Sequence, residues 1–230
     1  MNVFAENLKH VRERIEQAAI QSGRSGEEIT LISVSKTWPA EVVQKAVSAG
    51  ATVLGENRIQ EAESKIPLVS GPVSWHLIGH LQRNKVRSAI QLFDLIHSVD
   101  TLRLANEIGK RSIQNDVKTR VLVQVNTSGE ASKFGVDPEG ALDFVGMVSE
   151  VEGITVEGLM TIGAFLPDSE AVRPSFARLR ELGIRIDEAK LSGVSMTQLS
   201  MGMTNDFEVA IQEGSTMVRI GTAIFGSRDG

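Results

Sequence analysis

Apolar residues recur along the chain in two alternating rhythms. In the first segment Phe4, Leu8, Val11, Ile15 and Ala18 fall at steps of four and three, the stripe of an amphipathic helix, which Gly23 and Gly26 end. Six short apolar runs follow, each finishing in polar or glycine residues: 29–36, 52–57, 74–80, 95–100, 120–126 and 154–160. Runs this short and continuous read as parallel strands buried on both faces. Stretches of helical period separate them. The first, 39–50, has Pro39 suited to an opening helical position and Gly50 to a C-terminal cap. Others span 82–93, 101–113, 137–150 and 169–183. Two further strand-like runs, 197–202 and 216–226, flank a helix signal in which Asn205 and Glu208 have N-cap and third-position spacing. The count reaches eight strands.

Eight strand-then-helix units with no low-complexity linker predict a single α/β domain over residues 1–230, a (β/α)8 TIM-type barrel with an extra N-terminal helix. The competing fold is an open, doubly wound sheet, which would leave edge-strand signals that this chain lacks. No GxGxxG follows the first strand and no GxxxxGK[ST] occurs anywhere, so nucleotide-binding fingerprints are missing.

Composition narrows the function classes. The apolar fraction is 41% and the charged fraction 23%, and no apolar run approaches the ~20 residues that span a bilayer. The N-terminal segment mixes charged and apolar residues at helical spacing and lacks the layout of a secretion signal, so a cytoplasmic protein with no membrane contact is expected. Cysteine is absent, which removes disulfides, zinc–thiolate sites and thiol nucleophiles, and no metal is expected. A formal net charge of −5 with dispersed basic residues argues against nucleic acid as a partner. Tyrosine is absent too, which deletes one class of general acid or base and leaves four histidines, His10, His76, His80 and His97.

In a barrel of this type the chemistry sits where strands end at their C-terminal side. The first strand ends in Lys36, and alternation puts Ile32, Val34 and Lys36 on one face. If that face is inward, the amine stands at the barrel mouth above apolar neighbours, where desolvation favours the neutral form that attacks a carbonyl. The plain alternative is a solvated strand-end lysine. Asn57 ends the second strand and His80 the third, each also readable as a turn residue. Arg219 stands within the apolar eighth run and requires an acceptor or an anion, either a structural salt bridge or a ligand. Gly221 and Thr222 follow it, while Ser200, Met201 and Gly202 close the seventh run before a helix start. Small residues and hydroxyls there suit a phosphate cradle, although either loop alone reads equally as a turn. Together these features describe a ligand with an aldehyde, an aromatic nitrogen and a phosphate, that is, pyridoxal 5′-phosphate (PLP).

Several segments in one order carry a resemblance across essentially the whole chain: SVSKTWP around Lys36, LGENRIQEA (54–62), WHLIGHLQRNK (75–85), SVDTLRLA (98–105), VNTSGEASKFG (125–135), GLMTIG (158–163), LSMGMTNDFEVAI (199–211) and VRIGTAIFG (218–226). The chain resembles the pyridoxal phosphate homeostasis proteins, which share the barrel of the alanine racemase N-terminal domain. The resemblance implies an internal aldimine on Lys36, phosphate binding by Ser200, Gly221 and Thr222 with Met201 beside them, and Asn57 close to the cofactor. It also implies Arg219 at the pyridine nitrogen, which an always-protonated guanidinium keeps unprotonated, and His80 near the ring face. Lys133 is either a second amine or a solvated loop lysine.

The activity implied is a PLP carrier or buffer in vitamin B6 homeostasis without robust catalysis, a monomer that delivers cofactor to apo-forms of PLP enzymes. The alternative is a PLP-dependent amino-acid racemase, which needs acid/base groups on both faces of the substrate. In alanine racemases the group opposite the lysine is a tyrosine from a second domain, and this sequence has neither. Nor does sequence assign an orienting partner to His76 or His80. A cofactor-free aldolase using Lys36 is a weaker rival, since such barrels draw their lysine from later strands.

Overall fold

In the computed structural model, which describes residues 3–130, 133–164, 166 and 168–227, eight parallel strands close into a barrel. They are β1 (Thr30–Val34), β2 (Val53–Glu56), β3 (Ser74–Leu77), β4 (Leu95–Val99), β5 (Thr119–Gln124), β6 (Ile154–Met160), β7 (Val194–Met203) and β8 (Met217–Ile220). β1 pairs with both β2 and β8, in register at Ser33 with Leu54 and at Ile32 with Arg219. Closure leaves no sheet edge, which is why the edge signals of an open sheet are missing from the sequence.

The runs are continuously apolar because neighbouring residues enter two different cores. Ile32, Leu95, Leu122, Met160 and Met217 fill the barrel interior. Their chain neighbours Ile96, Val121, Val123, Leu159 and Val218 face outward into the larger core beneath the helices. The helical ring comprises α2 (Ala40–Ser48), α3 (Ile59–Lys65), α4 (Val86–Leu92), α5 (Leu102–Gln114), α6 (Ala141–Ser149), α7 (Arg173–Glu188) and α8 (Phe207–Gln212), with a single-turn α9 (Thr222–Phe225) after β8. The extra helix, α1 (Val3–Gln21), buries Leu8, Val11, Ile15 and Ala18 and packs on α8 and α9. Arg14 fastens it, with Nε donating to Glu208 Oε1 at 2.7 Å and the guanidinium 4.7 Å above the Phe207 ring.

Three expectations change. The run 216–226 is not one strand: β8 stops at Ile220 and the chain turns into α9, capped by Gly221. Asp206, not Asn205, stands at the N-cap of α8, and its Oδ1 accepts from Met203 N at 2.6 Å. Gly202 is required by packing more directly than by any ligand. It has φ +92°, and a Cβ on it would lie 2.6 Å from Ala210 Cβ and 2.9 Å from Phe207 Cα, so α8 could not sit against β7.

Candidate functional site

At the C-terminal ends of the strands opens a cavity of about 590 Å³, within the range that holds small-molecule cofactors. Val34 and Lys36 both line it, and Ile32 lies in the interior cluster below, so the inward face of β1 carries these three residues as alternation requires. Asn57 from the loop after β2 and Arg219, Gly221 and Thr222 from β8 and its turn line the same cavity. Five of the eight residues singled out in the sequence therefore share one wall system.

The remaining three lie elsewhere. Ser200 is wholly buried, with Oγ accepting from Arg219 Nη1 at 2.6 Å and lying 3.0 Å from His97 Nδ1. It stands beneath the cavity and reaches it through Arg219. Met201, also wholly buried, packs in the outer core. His80 faces a neighbouring hollow that shares Asn57 with the main cavity. Its ring stacks on Phe134 at 4.0 Å and Nδ1 lies 3.9 Å from Asp100 Oδ2. Lys133 is not a loosely solvated lysine: Nζ donates to Gly163 O at 2.9 Å and pairs with Glu130 at 2.7 Å.

Arg219 resolves the question its position raised. Its partners are neutral, Ser200 Oγ and the Thr161 carbonyl at 2.8 Å, and among the described residues no carboxylate lies within ion-pair distance. Burial pushes its pKa down to about 10, with Asp206 acting the other way, so it remains a cation at neutral pH. A guanidinium on a cavity wall with only neutral hydrogen-bond partners suits an anion or a ring nitrogen lone pair. Asp206, on the cavity wall, has its carboxyl pKa raised by burial against the opposing pull of the Met203 N–H and Arg219.

Below Arg219 the polar chain continues. His97 Nε2 lies 3.1 Å from His76 Nδ1, and both rings are buried. Burial lowers the His76 pKa to about 4, and burial together with the charges of His76 and Arg219 holds His97 well below the ordinary range. Both histidines are neutral at physiological pH, and His76 has the orienting partner that sequence could not assign.

Sequence reasoning missed Thr204, Asn205 and Asp206 as wall residues, together with Trp38. The first three lie within the quoted segment LSMGMTNDFEVAI, whose polar stretch was the available signal. Gly79 was missed as well. A Cβ there would lie 2.3 Å from Asn57 O, so glycine is what lets the β3 loop pass under the residue that forms one side of the mouth. In donor set and size the cavity fits PLP: one amine, one permanent cation with neutral partners, and small residues with hydroxyls on the β7 and β8 loops.

The comparisons agree with this geometry. The family described as alanine racemase, N-terminal domain, matches residues 4–229. The chain is 44% identical over 224 residues to a pyridoxal phosphate homeostasis protein of Aquifex aeolicus, covering 97% of each chain. It is 42% identical to the pyridoxal phosphate homeostasis protein of Escherichia coli K12, covering 100% of this chain and 98% of that one. Among solved structures, PipY of Synechococcus elongatus PCC7942 with PLP bound superposes with a TM-score of 0.85 at 31% identity, covering 97% of this chain and 100% of that one.

Proposed function

Because the chain belongs to the family of pyridoxal phosphate homeostasis proteins, built on the alanine racemase N-terminal domain barrel, we propose that it holds PLP covalently on Lys36 as an intracellular carrier or buffer without robust catalysis. The observation that carries this reading is the meeting in one cavity of about 590 Å³ of Lys36 and Arg219, whose hydrogen-bond partners are neutral. Bound there, PLP supplies an aldehyde that condenses with an amine and releases one water. Lys36 Nζ would provide that amine, its two N–H protons leaving with the water. Arg219, always a donor, would be the residue to meet the pyridine nitrogen and hold it unprotonated, which would weaken the electron sink a catalyst needs. Gly221 and Thr222 hold the phosphate. Asn57 closes the side of the mouth.

The racemase alternative needs a second acid or base across the cavity from Lys36. His76 and His97 are buried beneath the floor and His80 lies outside, so none lines the cavity among the described residues. The other ionisable side chain on the wall besides Arg219, Asp206, has its Oδ1 engaged by the Met203 N–H at the end of β7. Sequestering a reactive aldehyde on a lysine protects other amines, which gives the carrier a chemical purpose, with apo-forms of PLP enzymes as acceptors and the monomer as the working unit. No helix among the described residues is long and apolar enough to cross a membrane.

The test is the visible absorbance of the protein with PLP, before and after borohydride, followed by peptide mapping and an assay of amino-acid turnover. A band abolished by reduction and a pyridoxyl mass on the Lys36 peptide, both lost in Lys36→Ala, are expected. Turnover of amino acids at enzyme-like rates would overturn the carrier reading, and absence of the modified peptide would overturn the attachment.

A further inference from the structure

Lys36 stands in a turn that its own residues do not favour. Trp38 N donates to Ser35 O at 3.1 Å, which makes Lys36 the second residue of the turn and Thr37 the third. Thr37 has φ +65°. Glycine occupies such positions at no steric cost, whereas a β-branched side chain there is a clear outlier that persists only when its surroundings impose it.

The surroundings are supplied by α3. Glu61 Oε2 accepts the Thr37 N–H at 2.8 Å, while its other oxygen lies 3.8 Å from Arg58. Lys65, buried to 6% exposure, donates from Nζ to Ser35 O at 2.8 Å and to Glu56 Oε1 at 2.6 Å. Glu56 Oε1 also accepts from Ser35 Oγ at 2.6 Å. Glu61 and Lys65 are four apart on one helix, a spacing at which such residues ordinarily pair with each other. Here each reaches the turn instead, one on either side of Lys36.

We propose that α3 positions the PLP-attachment lysine, with Glu61 and Lys65 gripping the residues before and after Lys36 and holding Thr37 in its left-handed conformation. The inference rests on the reading of Lys36 as the attachment residue. Fixing the backbone at both flanks leaves only side-chain torsions between the amine and the cavity. That raises the effective concentration of Nζ at the aldehyde carbon, where the C=N bond forms as water leaves. Glu61 is a positioning residue that never touches the ligand.

The experiment mixes PLP with wild type, Glu61→Ala, Glu61→Gln and Thr37→Gly, and follows the rate of borohydride-trapped modification of the Lys36 peptide alongside thermal unfolding and hydrogen exchange at Thr37. Glu61→Ala should slow capture about tenfold, the scale of one hydrogen bond to a charged acceptor, and accelerate exchange at Thr37. Glu61→Gln, which keeps an acceptor oxygen, should recover to within about twofold of wild type. Thr37→Gly, which removes the steric obligation, should remain folded and also capture more slowly because the turn gains alternatives. Wild-type capture rates in folded Glu61→Ala, or no recovery in folded Glu61→Gln, would overturn the inference while leaving Lys36 as the attachment site. If Glu61→Ala does not fold, wild-type capture by Thr37→Gly overturns it equally. A wild-type chain unmodified at Lys36 would fail the underlying reading instead.

Discussion

Arg219 Nη1 donates to Ser200 Oγ at 2.6 Å, and this contact links the cavity to two buried imidazoles. A guanidinium only donates, and the hydroxyl that accepts from it shares a second hydrogen bond with His97 Nδ1 at 3.0 Å. His97 Nε2 in turn shares a hydrogen bond with His76 Nδ1 at 3.1 Å, in which one neutral ring donates and the other accepts. The interior of the barrel thus holds a continuous hydrogen-bonded series, Arg219, Ser200, His97 and His76.

Ser200→Ala strands both a buried guanidinium N–H and an imidazole nitrogen. We expect a stability loss of roughly 3 kcal/mol in urea titrations, and weaker PLP binding because the tether of Arg219 is gone. Unchanged stability would show that the chain of donors is not continuous in solution.

The neutral histidines predict acid lability with a definite sign. The His76 pKa falls from 6.5 to about 4 on folding, so within that interval the unfolded chain binds protons that the folded barrel refuses. Its contribution is fully present above pH 6.5 and is lost as pH drops towards about 4, by about 3 kcal/mol. His97 shifts in the same direction and adds to the loss. Urea midpoints from neutral pH downwards should fall steeply in the wild type. They should fall less in His76→Gln, whose carbonyl can accept from His97.

Lys65→Met removes the cation from a wholly buried carboxylate, Glu56. Burial already raises the Glu56 pKa, opposed by Lys65 and Ser35, and losing Lys65 raises it further. The variant should lose about 3 kcal/mol at neutral pH. A raised carboxyl pKa favours folding at low pH and loses that advantage as pH climbs through it, so the deficit relative to wild type should shrink on acidification. A deficit independent of pH would mean that Glu56 is neutral in the wild type.

Gly79→Ala places a methyl group 2.3 Å from Asn57 O, which pushes the mouth open on one side. PLP binding should weaken at least about tenfold with a stability cost of about 1–3 kcal/mol. Gly146→Ala, on α6 with nothing within 4 Å of the added carbon, should leave binding unchanged and is the matched control.

The strands were legible because each is buried on both faces, so their apolar runs needed no phase to be recognised. Lys36 was legible because it breaks such a run at its end. The helix that grips it was not, for its buried face is Ile59, Ala62 and Lys65, and a buried lysine erases the apolar stripe that periodicity seeks. The eighth run misled because Thr222, Ala223, Ile224 and Phe225 are as apolar as a strand, and only Gly221 marks the turn. Ser200 pointed to the right region for a reason the pattern could not disclose: its hydroxyl serves Arg219, and no periodicity reports a contact between β7 and β8 inside a barrel. His97 was invisible for the same cause.

The packed interior has a consequence for traffic. His97, His76 and Ser200, with Ile32, Leu95, Leu122, Met160 and Met217, fill the barrel interior, so the cavity does not run through the barrel and is reached from the end where the strands finish. Arrival and departure share that doorway. An occupant must leave before a successor enters, and an acceptor protein seated over the opening would receive one molecule while shutting out the next. A well of this shape, if it hands its occupant on, would do so one molecule at a time.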